Sequence, residues 1–159
     1  MKLKIKVKVL TKGCKPEVSS KGDWIDLRAA ENKYLSTEGK TPVYYIPLGV
    51  AIQLPKGFEA IVASRSSGPK TLKISIPNGI GIIDNSYNGN EDQWYYVATP
   101  FSNVQVQKFA RVCQFRIQLS QKATLLQKLK WLLSSGIEII EVDDLNSESR
   151  GGLGSTGIK

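Results

Sequence analysis

The chain has 159 residues, of which 41% are hydrophobic, and it contains no histidine. This length and composition favour a single domain with a genuine hydrophobic core. The absence of histidine excludes Ser-His-Asp and Cys-His catalysis and removes a usual ligand of zinc sites. Any catalysis must therefore use carboxylates, hydroxyls, lysines, arginines or a bound hard cation.

The formal net charge is +8, from 22 basic and 14 acidic residues. In the first ten residues, MKLKIKVKVL, lysines alternate with apolar residues, and this period of two predicts a half-buried strand. A lysine face of this kind is a common protection for the edge of a sheet. We therefore expect no direct nucleic-acid partner, although a positive surface still attracts ligands that carry phosphate.

Hydrophobic segments and cysteine spacing indicate where in the cell the protein is expected. No segment approaches the roughly 20 apolar residues of a transmembrane helix, and the N-terminus is too charged for a signal peptide. Cys14 and Cys113 lack CxxC spacing, which favours two reduced thiols over a single disulfide. These features predict a cytoplasmic protein that does not associate with a membrane.

Most of the remaining chain also has the two-residue period of β-strands. Strands are predicted, in chain order, at residues 24–30, 44–54, 58–66, 71–76, 93–100, 104–119 and 137–142. Turns rich in Gly, Pro, Asn and Ser separate them. Many short strands at close spacing predict an all-β sandwich, barrel or jelly roll.

One segment, KATLLQKLKWLLSSG at 122–136, has a helical period instead. Its leucines 125, 129, 132 and 133 fall on one helical face, and Gly136 stands where a C-cap belongs. We expect a short helix that packs on the β body or on a neighbouring subunit; the alternative is a membrane or protein partner. Residues 1–149 are predicted to form one domain, and residues 150–159 a flexible tail.

The stretch NGIGIIDNSYNG, residues 78–89, combines three glycines with an acid and a tyrosine. Gly79 and Gly81 allow close approach of a ligand to the backbone. Asp84 follows two isoleucines at the end of an apolar strand, a place that predicts a raised pKa and a role in proton transfer. The hairpin is therefore a candidate site for a flat ligand beside a catalytic acid.

Two further segments are candidate anion cradles. SRSSG, residues 64–68, supplies an arginine, hydroxyls and a glycine. RGGLGSTG, residues 150–157, supplies free backbone N–H groups, hydroxyls and an arginine. It lacks the lysine and the strand-to-helix context of a Walker A loop, and its alternative interpretation is a flexible tail.

The order of these motifs resembles the trimeric dUTP pyrophosphatases (dUTPases). The five motifs, in order, are DLRAA at 26–30, RSSG at 65–68, Asn78 with GIIDNSYNG at 81–89, RVCQ at 111–114, and RGGLGSTG at 150–157. The resemblance extends from Asp26 to Gly157 and is nearest to the branch of Bacillus-type bacteria and their phages. It implies a jelly-roll-like fold and a homotrimer with active sites shared between chains.

The resemblance also implies a reaction, the hydrolysis of dUTP to dUMP and pyrophosphate with Mg²⁺. Asp84 then activates the attacking water, Asn78 and the backbone at Gly81 contact the uracil, and Tyr87 packs under the deoxyribose. Asp26 holds Mg²⁺ through water molecules. The implied phosphate contacts are Arg65, Ser66, Ser67, Gln114, Arg150, Ser155 and Thr156.

Other functions stay open at this point. A dCTP deaminase has a similar fold and an arginine-serine-serine stretch, but it lacks the GIIDxxYxG pattern. A phage-type dUTPase can also act as a binding module for a repressor protein, and the insertion at 122–136 is a candidate for that role. Leu153 stands where the family tail carries a phenylalanine that stacks on uracil. Trp94 could supply an aromatic face, although a core position is expected for it.

Overall fold

The computed structural model describes residues 1–39 and 42–151 and is dominated by β-strands. The strands are β1 (Leu3–Val9), β2 (Ile25–Arg28), β3 (Lys33–Leu35), β4 (Tyr44–Gln53), β5 (Phe58–Ser64), β6 (Ile74–Ser75), β7 (Gly81–Ile83), β8 (Gln93–Pro100), β9 (Val104–Val106), β10 (Arg111–Leu119) and β11 (Ile137–Glu141). The helices are α1 (Gly68–Thr71) and α2 (Leu125–Leu132). The predicted all-β class is confirmed.

Two sheets form the body of the subunit. One has the strand order β11-β1-β4-β8-β6, and the other has the order β2-β10-β5-β7; β3 and β9 form a small separate pair. The β1–β11 pairing is parallel, whereas β10 is antiparallel to both of its neighbours. Strand β10 therefore holds the segments of the first, second and fourth motifs side by side.

The N-terminal strand has the predicted alternation but not the predicted position. Leu3, Ile5 and Val7 are buried, whereas Lys4 and Lys6 are exposed. However, β1 lies between β4 and β11, so the expectation of an edge strand was wrong. The edge strand on this side of the sheet is β11, which pairs in parallel with β1 although more than 130 residues separate the two in the chain.

Aromatic side chains fill the space between the two sheets. Trp94 of β8 and Phe115 of β10 are fully buried and meet edge to face, with ring centroids 5.3 Å apart. Trp94 is thus a core residue and offers no face to a ligand in this subunit. Cys14 and Cys113 are free and buried, as expected, and burial raises the pKa of both thiols.

Local backbone conformation divides two predicted strands. The segment 104–119 forms β9 and β10 with a turn between them, in which Phe109 has a φ of +68°. The segment 71–76 keeps only β6, because Thr71 ends helix α1 and Lys73 has a φ of +55°. A left-handed residue cannot continue a strand, so each of these positions ends the pairing.

Helix α2 lies inside the predicted segment, and a capping box begins it. Thr124 accepts a hydrogen bond from the backbone N–H of Gln127, and the Gln127 side chain accepts one from the N–H of Thr124 at 2.7 Å. The helix ends at a C-cap on Leu133, so the assignment of Gly136 as the cap was wrong. Among the described residues, no helix is long and apolar enough to cross a membrane.

The side of α2 that packs on the sheet is not the leucine face. Trp131 contacts Phe58, with ring centroids 5.3 Å apart. By contrast, the leucines at positions 125, 126, 129, 132 and 133 are exposed, with relative solvent-accessible areas of 45% to 78%. Helix α2 thus packs on the β body through Trp131, which is one of the two expected positions, while its leucine face stays exposed in the single subunit.

A pair of substitutions tests this orientation. Trp131→Ala should lower the free energy of unfolding by about 2 kcal/mol, because it removes a half-buried ring and its contact with Phe58. Leu126→Ala, the matched control on the exposed face, should change it by less than about 0.5 kcal/mol. Denaturant unfolding of both variants measures the difference, and equal effects would contradict the orientation.

Candidate active site

Asp26 is the centre of a charged cluster on the second sheet. It accepts a hydrogen bond from Arg65 Nε at 2.8 Å through Oδ1, and one from Arg111 Nη1 at 3.1 Å through Oδ2. Strand pairing explains the proximity, since Asp26 lies opposite Gln114 in the β2–β10 ladder and Arg65 directly follows β5. Arg111 was not predicted as a site residue, because only strand pairing brings it to Asp26.

The remaining residues of the second and fourth motifs lie at the same end of the sheet. Gln114 donates from Nε2 to the backbone carbonyl of Ser64 at 3.2 Å and is half-buried. Ser66 is exposed, and Ser67 is the N-cap residue of helix α1, although its side chain makes no capping hydrogen bond. The structure therefore brings together five of the predicted side chains: Asp26, Arg65, Ser66, Ser67 and Gln114.

Asp84 follows β7 and is exposed at the surface. The backbone N–H of Ser86 donates to Asp84 Oδ1 at 2.7 Å. This bond, and then the Ser86 hydroxyl, hold the pKa of Asp84 below its usual value, with smaller contributions from the charges of Arg150 and Lys122. The expected raised pKa was therefore wrong: the turn after the apolar strand stabilises the ionised form.

The loop after Asp84 is fixed by its own side chains. Asn85 donates from Nδ2 to the carbonyls of Pro55 and Phe58 at 2.9 and 3.1 Å. The Tyr87 hydroxyl donates to the carbonyl of Gln93 at 2.9 Å, and its ring is half-buried against the core. Asn85 was not predicted as a functional residue, and it anchors the loop that carries the acid.

Asn78 and Gly81 belong to the turn and strand that precede Asp84. Asn78 is exposed in the turn before β7, and Gly79 beside it has a φ of +76°, which favours glycine. A Cβ at Gly81 would meet Val62 at an ordinary contact distance of 3.5 Å. Packing within the subunit therefore does not require a glycine at position 81.

Asp84 and the Asp26 cluster lie at opposite ends of strand β5. In the antiparallel β5–β7 ladder, Ile83 lies opposite Ala60, and Arg65 is five residues further along. At the rise of a strand, that separation is about 16 Å. One subunit therefore does not place its own Asp84 beside its own arginine–aspartate cluster.

The charge of Arg150 contributes to the lowered pKa of Asp84 in the same chain. The backbone N–H of Arg150 donates to both carboxylate oxygens of Asp92, at 3.1 and 3.0 Å. Ser155 and Thr156, together with Leu153, lie outside the described residues. Asp92 was not predicted as a functional residue, because it is separated from Arg150 by 58 positions.

A cavity among the described residues lies away from the predicted site residues. An open cavity of about 330 Å³ is lined by Thr11, Ala30, Glu31, Lys33, Tyr45, Pro47, Gln93 and Tyr95. None of the predicted site residues lines it. Within the described ranges, no group of three or more His, Cys, Asp or Glu side chains could hold a metal ion.

The fold and these charged groups indicate a class: an all-β protein that presents guanidinium and hydroxyl groups to an anionic ligand, with an ionised acid on a separate loop. The comparisons identify the family. The sequence model of the dUTPase family matches residues 16–155. The chain belongs to the dUTPase family.

Individual relatives agree with this assignment. The chain is 41% identical over 138 residues to the SPbeta prophage-derived deoxyuridine 5′-triphosphate nucleotidohydrolase YosS of Bacillus subtilis (strain 168), covering 87% of this chain and 86% of the relative. The crystal structure of the Streptococcus mutans dUTPase matches with a TM-score of 0.63 at 22% identity, covering 71% of this chain and 91% of that one. This likeness confirms the jelly-roll-like dUTPase fold.

A phage protein also matches in structure. A mutant dUTPase of phage phi11 of S. aureus, described for its coordination of a structural Mg(II) ion, has a TM-score of 0.63 at 17% identity. The match covers 76% of this chain and 94% of the phage protein. At this identity the likeness concerns the fold alone.

The pKa of Asp84 can be measured by carboxyl ¹³C NMR during a pH titration. We expect a value below 3.8, the ordinary value for this group, since Ser86 bonds the ionised form. Ser86→Ala removes the hydroxyl and should raise the pKa of Asp84, whereas the control Ser102→Ala should leave it unchanged. A wild-type value above 3.8, or no change in Ser86→Ala, would contradict this electrostatic account.

Proposed function

We propose that the protein hydrolyses dUTP to dUMP and pyrophosphate. The observation that carries the proposal is Asp84, an exposed carboxylate with a lowered pKa in the GIIDxxYxG motif of a dUTPase family member. A water oxygen attacks the α-phosphorus, the bond from that phosphorus to the bridging oxygen breaks, and pyrophosphate leaves. Asp84 accepts the proton from the attacking water.

The hairpin around Asp84 suits a deoxyuridine. Subunit packing leaves the glycine at position 81 unexplained, and close approach of a flat base to the backbone explains it. Asn78 is exposed beside it and can bond the uracil edge. The hydroxyl of Tyr87 is already bonded to Gln93, so Tyr87 offers its ring and not its hydroxyl to the sugar. A ribose 2′-hydroxyl would clash with that ring.

The cluster at the end of β5 suits the phosphates. Asp26 holds Arg65 through Nε, which fixes the guanidinium plane and leaves its other N–H donors for phosphate oxygens. Ser66, Ser67 and Gln114 add polar groups at the same end of the sheet. In the proposed complex, Arg150, Ser155 and Thr156 contact the outer phosphates. Positioning and charge stabilisation then supply most of the rate.

Mg²⁺ is the proposed cofactor, and the donor set of the described residues fits an outer-sphere site. Mg²⁺ keeps several water molecules and binds phosphates with few protein carboxylates. Asp26 is the one carboxylate of the arginine cluster, and its oxygens have lone pairs beyond the two arginine bonds that can accept from metal-bound water. When bound, the ion neutralises charge on the triphosphate.

The proposed assembly is a homotrimer in which neighbouring subunits share each active site. The supporting observation is the separation of about 16 Å along β5 between Ile83, the neighbour of Asp84, and Arg65 within one chain. A closed three-fold arrangement can bring Asp84 of one subunit to the cluster of the next. It also gives every subunit the same environment.

A second candidate function, protein binding, is favoured by the exposed leucines of α2. We propose that this face contacts another polypeptide, because a contiguous exposed apolar patch is typical of interaction sites. A neighbouring subunit and a repressor-type regulatory partner are the two proposed occupants. In a variant with Leu126→Gln and Leu132→Gln, dissociation of the trimer would identify the neighbouring subunit, whereas an intact trimer would favour a separate partner.

We also infer a cytoplasmic location. The supporting observation is that Cys14 and Cys113 are both free thiols. Free thiols are usual in compartments that are kept reducing. Fractionation of cells followed by immunoblotting measures the location directly.

Asp84→Asn tests the proposed base. We expect loss of turnover with dUTP affinity within about tenfold of wild type, because the change removes a proton acceptor and not a binding contact. Asp143→Asn, another exposed acid, is the matched control and should keep full activity. The measurement is pyrophosphate release with Mg²⁺ from a panel of nucleoside triphosphates. Near-normal kcat in Asp84→Asn would contradict the assignment, and ammonia release from dCTP would indicate a deaminase.

Sedimentation at micromolar concentration without nucleotide tests the assembly. We expect a mass of about three 17.5 kDa chains, because the shared site needs a closed ring of subunits. A monomer under these conditions would contradict the trimer and the shared site together.

A further inference from the structure

We propose that Asp92 is a positioning residue that fastens the start of the C-terminal segment to the loop after β7 and so fixes the position of Arg150. The proposal rests on the proposed dUTP hydrolysis and adds a residue to it. Asp92 does not touch the reacting atoms. It acts through the backbone of Arg150.

The first observation is the burial of a charged group. Asp92 has a relative exposure of 2% and is the one charged residue that is buried among residues 1–39 and 42–151. Its oxygens accept from the N–H of Gly89 at 2.8 Å and from the N–H of Arg150 at 3.0 and 3.1 Å. A buried carboxylate is costly unless such bonds satisfy it, so Asp92 and the segment that carries Arg150 stabilise each other.

The second observation is a series of hydrogen bonds that hold residues 144–149, which precede Arg150 in the chain. The N–H of Glu91 donates to Ser149 Oγ at 3.1 Å, and the N–H of Leu145 donates to Asn90 Oδ1 at 3.0 Å. Asn90 also donates from Nδ2 to Asp144 at 2.7 Å. Asn90 and Glu91 thus bond the segment 144–149, and Gly89 bonds Asp92.

The third observation is the closeness of the two backbones. A Cβ at Gly89 would overlap the backbone of Ser149, so only a glycine allows this approach. Leu145 is buried with 1% exposure and anchors the same segment in the body of the subunit. These hydrogen bonds together form a clamp that holds residues 144–150 to the loop 89–92. The bond from the Arg150 N–H to Asp92 is the last bond of this clamp along the chain.

The consequence concerns the position of one charge. The loop that carries Asp92 is the same loop that carries Asp84 and Tyr87, eight and five positions earlier in the chain. A bond from Asp92 to the N–H of Arg150 fixes the Cα of Arg150 relative to that loop. In agreement, the charge of Arg150 is one of the groups that lower the pKa of Asp84. Preorganised charge of this kind favours a transition state without a reorganisation cost.

The test is Asp92→Asn in the full chain. An asparagine keeps one acceptor oxygen but turns an N–H₂ donor toward backbone N–H donors, so the clamp opens. Trypsin should then cleave after Arg150 at least about tenfold faster, because the bond there is no longer held. The ratio kcat/KM for dUTP should fall by about tenfold or more, mainly through kcat. Asp143→Asn is the control for both measurements.

A double-mutant cycle separates positioning from a general structural effect. In an Arg150→Ala background, Asp92→Asn should lower kcat/KM by less than about threefold, since the group it positions is absent. An equal loss in both backgrounds would overturn the proposal. Unchanged trypsin cleavage in a folded Asp92→Asn protein would overturn it too.

Two further measurements keep the proposal falsifiable. If Asp92→Asn does not fold, Ser149→Ala removes only the bond from Glu91 and should give a smaller increase in cleavage after Arg150; no increase would overturn the clamp. The trypsin measurement does not depend on catalysis. Faster cleavage in a protein that does not hydrolyse dUTP would therefore reject the proposed function while supporting the clamp.

Discussion

The antiparallel pairing of β5 with β10 on one side and β7 on the other is the constraint on which the site depends. The β10 ladder brings Asp26, Arg65 and Gln114 to one end of β5. The β7 ladder puts Asp84 at the other end. Because both ladders are fixed by the core between the sheets, a subunit cannot bring its acid to its own cluster without breaking the sheet. In the proposed trimer, the distribution of the site over two subunits follows from this geometry.

Charge is arranged differently at the two ends. At the cluster, one carboxylate lies between two guanidinium groups, so the net charge is positive and suits phosphate. At the loop, Ser86 holds Asp84 ionised, and the buried Asp92 holds the backbone of Arg150 nearby. The carboxylates of Asp26, Asp84 and Asp92 thus accept hydrogen bonds from three separate sets of donors.

Much of the fold and part of the site were predictable from the sequence. The period of two located most strands, and the leucine spacing located α2, because both patterns are local. Parallel pairing of β1 with residues 137–141, the ion pair of Asp26 with Arg111 and the bond of Asp92 with Arg150 join residues far apart in the chain, and no local pattern marks them. The pKa of Asp84 was predicted in the wrong direction because the preceding isoleucines suggested burial, whereas the turn at Ser86 decides it.

Complementation between two inactive variants tests the central claim, that the acid of one subunit acts on substrate held by the cluster of another. Asp84→Asn and Arg65→Ala proteins, each inactive alone, are mixed in equal amounts, unfolded and refolded together. If sites are shared, about a quarter of them receive an intact Asp84 from one chain and an intact Arg65 from the next, so about a quarter of wild-type turnover should return. Mixed trimers without recovered activity would show that both residues act within one chain, and would contradict the account.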